Sequence, residues 1–167
     1  MNNPTNSVNK WRIEPATKED RLTLTVLVLA MLEELQPFGH DMAATEANAA
    51  KMVDDLLLPA AANGDPVLIA RDADGRAIGG LFWCRMALPP GQPSVAMGYG
   101  TYVAKRGRRQ GIASELRKAG LAQLRQLGVQ RMITSVLAGN IAGHWSLLKL
   151  GFRPASTIYL LNLQPPT

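Results

Sequence analysis

Apolar and polar positions first alternate at Trp11-Arg12-Ile13, which reads as a short strand. The longest apolar run follows over residues 22–32 and ends at once in Glu33 and Glu34. Thr17, with Asp20 three residues on, has the form of a helix start, and Pro37 and Gly39 stop the helix near Gln36. A second helix is expected over residues 45–62, with Thr45 as N-cap and Gly64 beyond its end. Residues 66–70 read as a strand, 72–75 as a turn and 77–87 as a second strand, so the pair forms a hairpin. The middle of that second strand is apolar on both faces, as a central strand requires. Residues 89–93 form a Pro/Gly loop and 94–103 a further strand.

The pattern then changes to a helical period. Ile112, Leu116, Ala119 and Leu124 mark a helix over residues 111–127, closed by Gly128. Residues 130–137 read as a strand, 140–150 as a helix and 157–163 as a last strand. From residue 94 onward the order is β-α-β-α-β, which implies partly parallel pairing. Residues 1–9 read as a loose polar tail, and residues 10–167 as a single domain.

Composition narrows the class. The chain has 167 residues, 47% of them hydrophobic and 19% charged, enough for one domain with a sizeable core. Its one cysteine, Cys84, rules out an intramolecular disulfide and lies in the apolar run 80–84, so it reads as a packing residue. No metal-ligand framework is present in the sequence. The run 22–32 is shorter than the ~20 residues of a membrane span. With no targeting signal in the sequence, the expected location is the cytoplasm.

Charge is split unevenly. Residues 1–76 hold 7 Lys/Arg and 12 Asp/Glu, a balance of −5. Residues 77–167 hold 11 Lys/Arg and one acid, Glu115, a balance of +10. The second half therefore suits an anionic ligand and the first half a cationic one.

The sharpest feature lies between Val103 and Ser114. A strand ends, Lys105, Arg106, Arg108 and Arg109 crowd a short loop, and a helix starts at Gly111. A helix N-terminus offers unpaired N–H groups and the positive end of the dipole, which favours a phosphate. Gly111 and the small Ala113 let the backbone approach a pyrophosphate closely, and Ser114 adds a hydroxyl donor.

The spacing Arg108-x-x-Gly111-x-Ala113 resembles the Arg/Gln-x-x-Gly-x-Gly/Ala signature of the GNAT superfamily of N-acetyltransferases. A second segment, Asn140 to Phe152, resembles that family's later Asn-x(6)-Tyr-x-Lys-x-Gly-Phe stretch, with Lys149, Gly151 and Phe152 in the matching places. The resemblance covers residues 66–163. It implies an α/β (α+β) fold with a mixed central sheet of about six to seven strands and about four helices. It also implies acetyl-CoA as co-substrate, bound by Arg108, Arg109, Gln110, Gly111, Ile112, Ala113 and Ser114. Tyr102 and Val103 would lie along the pantetheine arm, and Asn140 would reach it. The resemblance further implies direct transfer to a primary amine in a ternary complex, the Val103 N–H polarising the thioester carbonyl. Many members of the family are dimers, so a homodimer is expected. No metal is needed.

The chain departs from the family twice. Leu147 occupies the position of the tyrosine that serves as general acid, and the strand 94–103 lacks the glutamate that serves as general base. Tyr99 and Ser146 are the catalytic candidates in their place, with His144 and Tyr159 as further donors. Glu33, Glu34, His40 and Asp41 are candidates to bind the acceptor or take its proton. Two other readings stay open at this stage: an acyl-CoA-binding protein of the same fold without efficient turnover, and a basic nucleic-acid-binding module, the latter less favoured for lack of a recognition motif.

Overall fold

The computed structural model describes residues 11–87 and 94–155. Contacts divide the chain into two units at residues 135 and 136. Among the described residues the first holds five strands: β1 (Trp11–Pro15), β2 (Val67–Asp72), β3 (Ala77–Ala87), β4 (Val95–Val103) and β5 (Arg131–Thr134). They form one mixed sheet in the order β1-β2-β3-β4-β5. The first three pairings are antiparallel and β4 with β5 is parallel, as the β-α-β alternation requires. The expected final strand, residues 157–163, lies outside the described residues, as do the tail 1–9 and the loop 89–93.

Helix α1 spans Arg21–Leu35. Helices α2 (Glu46–Met52) and α3 (Leu58–Ala62) are joined by a π turn, Val53–Leu57, so residues 46–62 form one helical stretch between Thr45 and Gly64. The π turn has a cause in Pro59, which cannot donate a backbone bond and whose ring crowds the carbonyl four residues back. The ladder widens, and the Leu58 N–H reaches the Val53 carbonyl instead. Helix α4 spans Ile112–Gln126, between Gly111 and Leu127.

Two apolar layers hold the sheet. On one face Leu24, Leu27, Val28, Met31 and Leu32 of α1 pack with Val53, Leu57, Val67, Ile69 and Trp83. On the other, Ile112, Leu116 and Leu124 of α4 pack with Leu68, Ala70, Phe82 and Cys84. Strand β2 shows the period of two directly: Val67 and Ile69 face one layer, Leu68 and Ala70 the other, and all four are buried.

Helix α4 lies so close to β3 that it needs a glycine. A Cβ on Gly120 would sit 2.2 Å from Phe82 Cε1. Gly120→Ala would gain about 1 kcal/mol of helix propensity but force the Phe82 ring aside, an overpacking cost of about 1–3 kcal/mol. The expected result is net destabilisation and a Tm lowered by a few degrees in a thermal melt. Phe82→Leu in the same chain should recover part of that loss.

The start of α1 is tied to the sheet by charge. Asp20 is buried and accepts from Thr17 N–H (2.8 Å) and Thr17 hydroxyl (3.3 Å), the back-reaching half of a capping box. Both its oxygens also accept from Arg71 Nη2 of β2 at 2.6 Å. Arg71 Nε meets Glu14 at 2.9 Å.

The second unit, residues 136–155 as described, contains α5 (Ile141–Lys149). Asn140 is its N-cap and accepts from Gly143 N–H at 2.9 Å. Gly151, at φ 86°, closes it.

Candidate functional site

Strand β4 carries an irregularity that sets which side chains share a face. Its register with β3 pairs Trp83 with Gly100 and then Cys84 with Gly98, which leaves Tyr99 as an extra residue. This is a β-bulge. Without it, Tyr99 and Tyr102, three apart, would face opposite sides. With it, Tyr99 stacks on Trp83 (centroids 6.3 Å apart, planes at 5°), and Tyr102 packs with Trp83 in the α1 layer. Glycines inside a strand signal such a bulge, and Gly98-Tyr99-Gly100 supplied that signal.

Pairing with β5 stops at the bulge. Strand β5 pairs with β4 only from Val95 to Gly98. From Tyr99 to Val103, β4 has no strand partner on its β5 side among the described residues. Alternate N–H and C=O groups of that edge can therefore pair with an extended ligand.

The loop after β4 then makes one 3-10 turn, Lys105–Gly107, and leads into α4. Gly107 is buried, and a Cβ there would meet the Ile78 carbonyl at 2.9 Å, so the loop presses on β3. Arg109 takes φ 64° and Gly111 φ 82°. Arg109 is the sole non-glycine with positive φ among the described residues. Strain of this kind, of order 1 kcal/mol, concentrates at ligand sites. The first intrahelical bond runs from Glu115 N–H to the Gly111 carbonyl at 3.1 Å. The N–H groups of Ile112, Ala113 and Ser114 belong to the open first turn. The Ile112 side chain is buried in the α4 layer, so only its N–H is available to a ligand. Gln110, whose Nε2 donates to the Arg106 carbonyl at 3.2 Å, stiffens the loop.

The candidates from the first half of the chain separate. Glu34 comes to the loop between β4 and α4: it accepts from Arg108 Nη2 and from the Tyr102 hydroxyl. Burial and the neighbouring Glu34 carboxylate push the Tyr102 hydroxyl above its ordinary pKa, so it stays protonated and donates. Glu33 is exposed and, with Ala30, Glu34, Tyr102, Ala104, Lys105 and Arg106, lines a cleft of about 310 Å³. His40 is engaged in its own loop, its Nδ1 accepting from Met42 N–H at 3.2 Å. Arg117, which sequence reasoning passed over, reaches from α4 to the Thr101 hydroxyl at 3.4 Å. Cys84 is a packing residue: burial raises its thiol to about 12, which removes it as a nucleophile. Asn140 and Ser146 lie in the second unit, on the N-cap and on α5.

Residues 29–152 match the Acetyltransferase (GNAT) family. No curated protein matches the sequence. Among solved structures the chain is similar to a probable acetyltransferase at 21% identity and a TM-score of 0.71, covering 93% of this chain and 99% of that one. It is also similar to a GCN5-related N-acetyltransferase from Ralstonia eutropha JMP134, at 19% identity and a TM-score of 0.69, over 92% and 99% of the two chains. A third, an aminoglycoside N-acetyltransferase AAC(6')-Iy in complex with CoA, has 20% identity and a TM-score of 0.65 over 93% and 95%. At these identities the likeness is one of fold. The family match spans well over half of the sequence and includes both the loop at Arg108–Ala113 and the segment closing at Gly151-Phe152, and on that ground the chain belongs to the GNAT acetyltransferase family.

Proposed function

We propose that the protein transfers an acetyl group from acetyl-CoA to a primary amine by direct attack within a ternary complex. The observation that carries this reading is the continuity of two features. Among the described residues the β4 edge from Tyr99 to Val103 has no strand partner on its β5 side, and an open first turn at Gly111–Ser114 follows directly along the chain. An extended arm ending in a pyrophosphate needs those two in that order. Loop amides and the α4 dipole hold the pyrophosphate, with Lys105, Arg106 and Arg109 adding charge around it.

The chain's chemical contribution is placement. The β4 edge fixes the thioester, with the Val103 N–H set to polarise its carbonyl. The cleft at Glu33 and Glu34 fixes the amine, so that two bound substrates react at a high effective concentration. A protonated amine must lose a proton before attack, and the exposed Glu33 carboxylate at the cleft is placed to attract the cation and pass that proton to water. Tyr99, exposed at the bulge where the free edge begins, is the hydroxyl we place beside the reacting nitrogen. Ser146 of α5 is the candidate donor to the departing thiolate, since Leu147 has no proton to give.

Amino sugars and polyamines are the first acceptors to try, because some similar structures are aminoglycoside N-acetyltransferases and the cleft presents carboxylates. The test is calorimetric titration with acetyl-CoA, followed by release of free CoA thiol across an amine panel. Micromolar binding with amine-dependent thiol release is the expected result. Binding without turnover on any amine would favour a cofactor-binding protein of the same fold, and no binding would sink the acetyltransferase reading.

A further inference from the structure

Arg108 opens the Arg-x-x-Gly-x-Ala pattern, and its position suggests a side chain that grips phosphate. Its contacts run the other way. Nη2 donates to both oxygens of Glu34, at 2.7 and 2.5 Å. Nε donates to the Val103 carbonyl at 2.9 Å. The guanidinium lies over the Tyr102 ring, 5.9 Å from its centroid, and the Tyr102 hydroxyl donates to Glu34 Oε1 at 3.3 Å. The fork is therefore committed to protein groups on two sides, and its charge is already met by a carboxylate. A phosphate could take it only by breaking the Glu34 pair.

The contacts join three elements: the end of α1, the end of β4, and the loop that leads to Gly111. Bonds inside the loop are local, from Gly107 N–H to the Ala104 carbonyl (2.8 Å), from Arg108 N–H to the Lys105 carbonyl (3.3 Å) and from Gln110 Nε2 to the Arg106 carbonyl (3.2 Å), while Arg106 Nη2 reaches the Ala77 carbonyl of β3 at 3.4 Å. Arg109, next in the chain, holds a positive φ that needs outside support.

We infer that Arg108 is a positioning residue, which acts on the cofactor through Glu34 by latching the phosphate loop to the end of α1, and does not itself bind the pyrophosphate. The inference rests on the acetyl-CoA reading for the identity of the ligand, but not for the existence of the latch. Glu34 is correspondingly a loop anchor before it is an acceptor contact.

The two roles predict opposite results for one substitution. Glu34→Gln removes a negative charge near an anion site. If Arg108 were a phosphate ligand held back by Glu34, the change would leave CoA binding unchanged or tighten it. If Arg108 is a latch, the change weakens CoA binding about tenfold although no group on the ligand loses a contact. Calorimetric Kd values for CoA would be measured for the wild type, Glu34→Gln, Arg108→Gln and the double variant, with a thermal melt for each. Similar losses in both single variants and no further loss in the double are expected, the non-additivity of one shared interaction. Tightening in Glu34→Gln, or additive losses, would overturn the latch.

A second readout needs no ligand. In the free protein, amide hydrogen exchange at Gly107 and Arg108 should speed up about tenfold in Glu34→Gln while the β2 and β3 amides stay as they were. Unchanged exchange at those two amides overturns the latch. Wild type that fails to bind CoA while Glu34→Gln still loosens the loop would overturn the acetyl-CoA reading and leave the latch standing.

Discussion

Gly111→Glu is expected to abolish acetyl-CoA binding in a domain that stays folded. Gly111 sits at φ 82° on the N-cap of α4, where any side chain costs about 1–2 kcal/mol in backbone strain. Space is not the obstacle, because a Cβ there meets nothing nearer than Trp11 Cζ2 at 4.0 Å. A carboxylate at a helix N-terminus is favoured by the dipole, by about 0.3–1 kcal/mol, which offsets part of the strain. The melting temperature should therefore fall by only a few degrees. Binding is another matter. The new carboxylate takes up the open amides of Ile112 to Ser114 and sets a negative charge against the pyrophosphate. A loss of about 100-fold or more in affinity, about 2.7 kcal/mol, is the expected size. Gly111→Ala is the control: it carries the same backbone strain without the charge and should lose far less. Equal affinities for Gly111→Glu and wild type by calorimetry would place the pyrophosphate elsewhere.

The strand–loop–helix geometry of that segment could be read from the sequence because it is local. A strand end, a basic loop, a glycine and a helix are consecutive, so Arg108 to Ser114 carry their own geometry. The helix limits were legible for the same reason. Thr17, Thr45 and Asn140 each cap the helical turn that begins one residue later, and Gly39, Gly128 and Gly151 adopt the positive φ that ends a helix. What the sequence hid depends on partners far along the chain. Arg108 was expected at the cofactor, and its pairing with Glu34, 74 residues away, leaves no trace in the local pattern. Glu34, expected at the acceptor, has contacts with Arg108 and Tyr102 that neither segment of the sequence discloses. The strand expected over residues 130–137 is confined to Arg131–Thr134, which pairs with Val95 to Gly98 of β4, and an alternating pattern does not record where pairing stops. The π turn before Pro59 was hidden for a related reason. A proline inside a helical pattern signals a break, but its packing neighbours decide whether the helix stops or widens.

Arg71 is the other residue whose role the pattern concealed, and it carries the largest stability effect expected. It follows four buried positions of β2, and nothing in the sequence pattern singles it out. Its guanidinium instead binds Asp20 and Glu14, with 15% of the side chain exposed against 7% for Asp20. Burial alone would raise the Asp20 carboxyl. Hydrogen bonds from Arg71 and from the Thr17 backbone outweigh burial and hold it below its ordinary value. Asp20→Asn keeps the shape but leaves a largely buried cation short of its main partner. Breaking such a pair costs about 3–5 kcal/mol, and the remaining Glu14 contact puts the expected loss near the lower end. The pH dependence has a definite sign. A carboxyl whose folded pKa lies below its unfolded value of about 3.9 contributes stability that is fully present above that value. The contribution fades as pH falls through the folded pKa. Wild type should therefore lose stability steeply below about pH 4, by urea denaturation at a series of pH values, as the carboxyl takes up a proton on unfolding. Asp20→Asn should start about 3 kcal/mol lower at neutral pH and show a flatter acid limb, so that the two curves converge in strong acid. Parallel curves across that range would mean that the Asp20 charge adds nothing to the fold, and that the pair only orients the start of α1.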